Sequence, residues 1–120
     1  MIFTIPEIFT PNEYQQLAMV YRSIRYADKE SMKQHAVYGL CSEAGEVAGI
    51  MQKTFNGHTY DAEHMKKELG DVAWFLAEAC AAFGFDLDDV MRGNLLKLHQ
   101  RYPNGIFEVN RSINRDPDDI

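Results

Sequence analysis

Four carboxylates fall into two matched pairs: Glu43 with Glu46, and Glu68 with Asp71, each pair three residues apart. On a helical wheel, at about 100° per residue, each pair straddles the edge of an apolar arc. The first arc holds Ala36, Leu40, Ala44, Val47, Ile50 and Met51; Glu43 projects between Val47 and Ile50, and Glu46 lies at the margin on the same side. The second holds Met65, Leu69, Val72, Phe75, Leu76, Ala79, Cys80 and Phe83; Glu68 falls between Phe75 and Ala79, with Asp71 at the margin. A buried carboxylate without a partner is costly, and four brought together by antiparallel helices repel one another, so a cation is required. Hard oxygen ligands with no thiolate select Mg²⁺ or Mn²⁺. A di-iron centre is the other metal reading, but it uses Glu-x-x-His pairs, which neither helix has; His64, one turn before Glu68, is the only nearby imidazole. The blander reading, in which each pair caps its apolar face and reaches solvent, suits a single Glu-x-x-Glu better than two pairs at matched positions.

Positive charge comes from a different stretch. Asn94, Lys97 and Arg101 stand at i, i+3 and i+7, a stripe bordering Leu87 and Val90. A Lys and an Arg on a core-side margin suit an anionic ligand, Arg binding phosphate-type oxygens bidentately; the alternative is snorkelling from a helix end. Lys53, two turns beyond Glu46 on the same face, is a further candidate. Trp74 faces away from its helix's main arc together with Ala77 and Ala81. A helix apolar on both sides is buried on both sides, which points to a subunit interface there. His35, His58 and His99 have no metal-type spacing and read as surface residues.

Four helices must position these groups. Thr10-Pro11-Asn12-Glu13 forms a capping box with proline at the first helical position, and Tyr14, Leu17, Tyr21 and Ile24 carry the first helix to about Ala27. The second runs from near Ser31 to near Phe55, where Asn56-Gly57 stops it. Asp61 caps a third that runs to about Phe83 and closes at Gly84. Asp86, with Asp88 and Asp89 in the first turn, opens a fourth that ends before Pro103. Pro103-Asn104-Gly105 makes a turn, Ile106 to Ile120 reads as extended or irregular, and Asp116-Pro117-Asp118-Asp119 as a solvated end. There is no strand pattern, so the class is all-α: a single domain over 1–120, with core helices about 11–102 and a tail 103–120.

The bulk properties set exclusions. With 120 residues and a net charge of −6, the chain has one core's worth of surface to bury and is unsuited to nonspecific binding of nucleic-acid polymer or an anionic membrane. The N-terminal MIFTIPEIFT carries no export signal, and no window approaches a membrane span. Cys41 and Cys80, far apart in helical patterns, read as reduced core thiols of a cytoplasmic protein.

Glu-x-x-Glu, 21 residues, then Glu-x-x-Asp is also a layout with a known likeness. Together with GLCSEAGEV, KKELGDVAWFLAEAC and GFDLDDVMRGNLLKLHQRYPNGIF, it makes Tyr38 to Phe107 resemble the MazG-like all-α NTP pyrophosphohydrolases of the short stand-alone bacterial and phage type. The resemblance implies a four-helix bundle of the all-α NTP pyrophosphatase type. It also implies Mg²⁺-dependent hydrolysis of a nucleoside triphosphate to the monophosphate and pyrophosphate, as nucleotide-pool house-cleaning, with Mn²⁺ a substitute. Glu43, Glu46, Glu68 and Asp71 then become metal ligands, and Glu43 or Glu46 the catalytic residue that orients or deprotonates water. Lys97 and Arg101 match the phosphate-binding pair, with Asn94 nearby on the nucleotide. The residues themselves, apart from the resemblance, add Lys53 as a further substrate contact and Trp74 as the lining of a base pocket, the alternative to its place in a subunit interface. The family forms homodimers or homotetramers with sites near subunit interfaces, where Arg111 and Arg115 of the tail could reach. Relatives act on dUTP, dCTP, phosphoribosyl-ATP or mixed dNTPs, so base and sugar stay open. Two other readings compete: a non-catalytic nucleotide- or metal-sensing helical oligomer, and a purely structural interaction protein.

Overall fold

The computed structural model describes residues 4–22 and 28–119, and among them there are helices and no strands. The chain is all-α, as the sequence pattern predicts. It divides into two compact units, Met1–Leu87 and Asp88–Ile120. No helix among the described residues is long and apolar enough to cross a membrane.

The first unit is built on α1 (Pro11–Met19), α2 (Lys29–Phe55) and α3 (Ala62–Phe83). The predicted capping box opens α1: Thr10 Oγ1 accepts the Glu13 N–H at 3.1 Å, and Glu13 Oε1 accepts the Thr10 N–H at 3.1 Å. The described part of α1 ends at Met19, short of the expected Ala27. Val20, Tyr21 and Arg22 bond back three residues instead of four, the tightened turn in which a helix ends, and Val20 and Tyr21 are largely exposed. Ile24 and Ala27 lie outside the described residues. α2 begins a little before the expected Ser31, because the Asp28 carboxylate accepts the Ser31 N–H at 2.9 Å. That bond holds the Asp28 carboxyl below its usual range. Asp61 caps α3 on the His64 N–H at 3.1 Å, and Gly84, at φ +80°, ends it in the left-handed conformation that only glycine adopts freely.

α2 and α3 run antiparallel, touching along a line from His35–Glu78 through Gly39–Phe75 to Glu43–Glu68. Phe75 lies against the α2 backbone at Gly39, where a Cβ would stand 2.0 Å from its ring. The opposite side of α3 carries α1, which packs Ala18, Tyr14 and Met19 on Ala77, Cys80 and Trp74, with Leu87 closing the cluster. The Trp74 indole N–H donates to the Ala18 carbonyl at 3.0 Å. The second apolar side of this helix, expected to meet another subunit at Trp74 and Ala77, is therefore covered by the chain's own first helix. Buried Gln15 fastens that contact: its amide nitrogen donates to Phe85 O at 3.0 Å and Ala77 O at 3.4 Å, and its Oε1 accepts the Leu87 N–H at 3.0 Å.

The second unit contains α4 (Leu87–Arg101) beyond its first residue and α5 (Val109–Ile113). The turn after Tyr102 forms at Pro103–Gly105 as expected, with Gly105 N–H donating to Tyr102 O at 2.9 Å. The tail is not irregular throughout: α5 is a short helix, steadied by the Arg111–Glu108 ion pair at 3.0 Å, too brief for a periodic pattern to announce it. Asp119 is not a solvated end either, since its side chain is 10% exposed and bonded to Arg101.

Candidate metal centre

α2 supplies Glu43 and α3 supplies Glu68 and Asp71, and one carboxylate oxygen of each lies within 4.8 Å of the other two. The inward and marginal positions on the wheel reappear as exposure: Glu43 and Glu68 are half-buried, Glu46 and Asp71 exposed. Glu46 does not join the three. It stays on the open side of α2, although its charge still reaches Glu43.

Charge crowding shows on Glu43, whose carboxyl is pushed above its usual range. Burial contributes most, followed by a hydrogen bond to Glu68 and the negative charges of Asp71, Glu68 and Glu46. Glu43 is thus the carboxyl on which burial and the neighbouring acids bear together. The charge of Asp71 extends to α1, where Tyr14 is held above the usual phenol range by burial first and by Asp71 second. His64, on the turn before Glu68, brings Nε2 to 3.1 Å from Glu68 Oε1. Three converging oxygens, one of them on a carboxyl raised by burial and by its acidic neighbours, fit a hard divalent cation.

Of the other predicted residues, Lys53 and Trp74 belong to the first unit and Asn94, Lys97 and Arg101 to the second. Lys53 is exposed in the last turn of α2. Trp74 is half-buried and edges a small apolar cavity of about 200 Å³ with Phe9, Tyr14 and Leu17. In the second unit, Asn94 is exposed and Lys97 half-buried, while Arg101 makes a two-pronged bond to Asp119, Nε to Oδ2 and Nη2 to Oδ1, both 2.8 Å.

Several features lie outside the sequence reading. His35 is not a simple surface residue: its Nδ1 is bonded to Glu78 Oε1 and its ring tilts on Phe75 at 5.4 Å. Glu78 is fully buried, with Oε2 lacking a hydrogen-bond partner. Its position one heptad after Asp71, on the α2-facing side, was the available signal. Cys80 is buried, and burial raises its thiol pKa, but Cys41 is exposed and not a core residue.

The family model for the MazG nucleotide pyrophosphohydrolase domain matches residues 30–106, well over half of the chain and all of the carboxylate pairs. The chain belongs to the MazG family. It is also similar to the Gene 37 protein of Mycobacterium phage L5, 29% identical over 79 residues that cover 62% of this chain and 69% of that protein. No solved structure matches. Within the MazG domain the acidic centre and the α4 stripe both fall inside the matched span, whereas α1 and most of the tail lie outside it.

Proposed function

We propose that this MazG domain is a Mg²⁺-dependent nucleoside triphosphate pyrophosphohydrolase, releasing the monophosphate and pyrophosphate and serving to clean the cytoplasmic nucleotide pool. The convergence of Glu43, Glu68 and Asp71 carries this reading, because three carboxylate oxygens close enough to share a cation occur on a chain of this family. Those three side chains hold the metal, which when bound supplies charge neutralisation at the phosphoryl group and acidifies the attacking water. Mn²⁺ satisfies the same oxygen donors.

Glu46 stands three residues from Glu43 but outside the cluster, with an exposed carboxylate. It is the group left to orient the water and take its proton, while Glu43 acts as a ligand. Lys97 and Arg101 bind phosphate oxygens, with Asn94 and Lys53 as further polar contacts. Trp74 is the weakest of the sequence-derived substrate residues, since its indole N–H is already bonded to Ala18. In-line attack at phosphorus needs positioning and charge neutralisation more than a protein nucleophile. The domain works as a homodimer or homotetramer; support comes from the apolar residues left exposed on α2 and α3.

The test is a panel of ribo- and deoxynucleoside triphosphates with Mg²⁺, assayed for pyrophosphate and orthophosphate separately. Pyrophosphate release is the expected result. Orthophosphate as the sole product, or tight nucleotide binding without turnover under any divalent ion, refutes it and favours a sensing role.

A further inference from the structure

The phosphate-binding reading of Arg101 meets an obstacle within its own unit: the guanidinium is already taken. Both prongs of its fork go to the two oxygens of Asp119 at 2.8 Å, and the paired side chains are only 11% and 10% exposed. This is the bidentate mode in which a guanidinium takes a phosphate. Arg101, Arg115 and Asp119 line one cavity of about 540 Å³, which Arg111, Asp116 and Asp118 also border. The Asp119 carboxyl is held below its usual range, first by the bond from Arg101 and further by the charges of Arg101, Arg115 and Lys97. Three cations from separate positions therefore bear on one carboxylate. Asp116 and Asp118 offset part of that charge at the rim, but the fork of Arg101 itself is held by Asp119 alone, and a phosphate group offers the same fork more acceptor oxygens.

We propose that Arg101 and Arg115 form a phosphate site, with Lys97 at its edge, and that the Asp119 carboxylate occupies it as an internal competitor which a pyrophosphate or triphosphate group displaces. The inference rests on the pyrophosphohydrolase reading for the origin of the ligand, but not for the site's existence. It adds Arg115 to the phosphate-binding residues and gives the tail a role: measured affinity is the site's own affinity reduced by the fraction of time Asp119 leaves it open. The ligand class is an inorganic or nucleotide-borne polyphosphate.

The experiment titrates inorganic pyrophosphate into the full chain by calorimetry in metal-free buffer, which keeps the acidic centre from contributing a metal-bridged site. Asp119→Asn is expected to bind about tenfold more tightly than wild type, as for a site closed some nine-tenths of the time. Arg115→Gln in that background should reverse the gain. Asp118→Asn, which borders the same cavity, should leave the affinity within about twofold, as removal of one solvent-screened charge does. Unchanged or weaker binding by Asp119→Asn with helicity retained overturns the proposal. If that variant loses helicity, Asp119→Glu serves, since its longer arm misaligns the fork while keeping the charge; binding no tighter than wild type then overturns it equally. Tightened binding without hydrolysis of any nucleotide sinks the enzymatic reading and leaves the competitor in place, and hydrolysis with no gain in Asp119→Asn does the reverse.

Discussion

Glu43 carries the charge conflict of the acidic centre, and its titration is the most direct handle on it. Its folded pKa lies above the value in an unfolded chain, through burial first and then through Glu68, Asp71 and Glu46. A raised carboxyl stabilises the fold below the ordinary carboxylate pKa and loses that contribution as pH rises through the folded value. The metal-free protein should therefore melt at falling temperature as pH is raised through and above the carboxylate range, in EDTA. Glu43→Gln, which keeps the hydrogen bond and removes the charge, should flatten that profile. Mg²⁺ competes for the same oxygen, so its stabilisation of wild type should grow with pH over that window and vanish in Glu43→Gln; an effect independent of pH sinks the assignment. Glu68→Gln should abolish pyrophosphate release while leaving circular dichroism unchanged, because Glu68 is half-buried and its amide can still accept from His64. The pairing of carboxylates was legible in the sequence because helical spacing fixes which side chains share a face. The separation of Glu46 from the other three was not, since wheel positions give direction but not the distance between two helices.

Between elements, the spacing of α2 and α3 is set at Gly39, where the Phe75 ring takes the room of a side chain. Gly39 lies one turn before Glu43, and Phe75 one turn after Asp71, so this contact governs how closely the carboxylates approach. Gly39→Ala should cost about 1–3 kcal/mol by overpacking and also weaken Mg²⁺ binding, measured by urea melts and by metal titration. Adding Phe75→Leu should recover stability in a double-mutant cycle; additive losses would mean the two residues do not meet. At the other side of α3, Gln15→Leu leaves the buried Leu87 N–H and Phe85 carbonyl without their partner, a loss of about 1–3 kcal/mol, readable in the same melts. The sequence disclosed the helix ends that carry local caps, since Thr10, Asp61 and Gly84 each act within a turn, but not the end of the described part of α1 at Met19. It did not disclose Gln15, His35–Glu78 or Arg101–Asp119. Each joins residues far apart in the chain, and a polar residue in a helical pattern looks the same whether it meets water or a distant carbonyl.

At the scale of the whole molecule, the covering of helix faces departs in part from the sequence expectation. Trp74 and Ala77 are packed against α1, while the arc assigned to the core is half bare: Leu69, Leu76 and Phe83, one heptad apart on α3, are 52%, 38% and 46% exposed. On α2 a second row, Val37, Cys41, Ala44, Ala48, Met51 and Phe55, alternates steps of four and three and is exposed along its whole length. That is the 3.5-residue repeat of a helix-packing seam. The α3 row lies roughly a third of a turn from the α2–α3 contact line, and the α2 row nearer half a turn from it. Exposed apolar rows of this kind mark association surfaces. Another copy presenting the same antiparallel pair offers a self-complementary match, as a two-fold interface requires. Leu76 stands in the middle of the α3 row, so Leu76→Arg places a charge at the centre of that row, away from the α1 cluster and the carboxylates. By light scattering after size exclusion, wild type should run as a dimer or tetramer and Leu76→Arg should shift to lower mass with helicity intact. An unchanged mass would place the interface elsewhere and leave the exposed rows of α2 and α3 without this role.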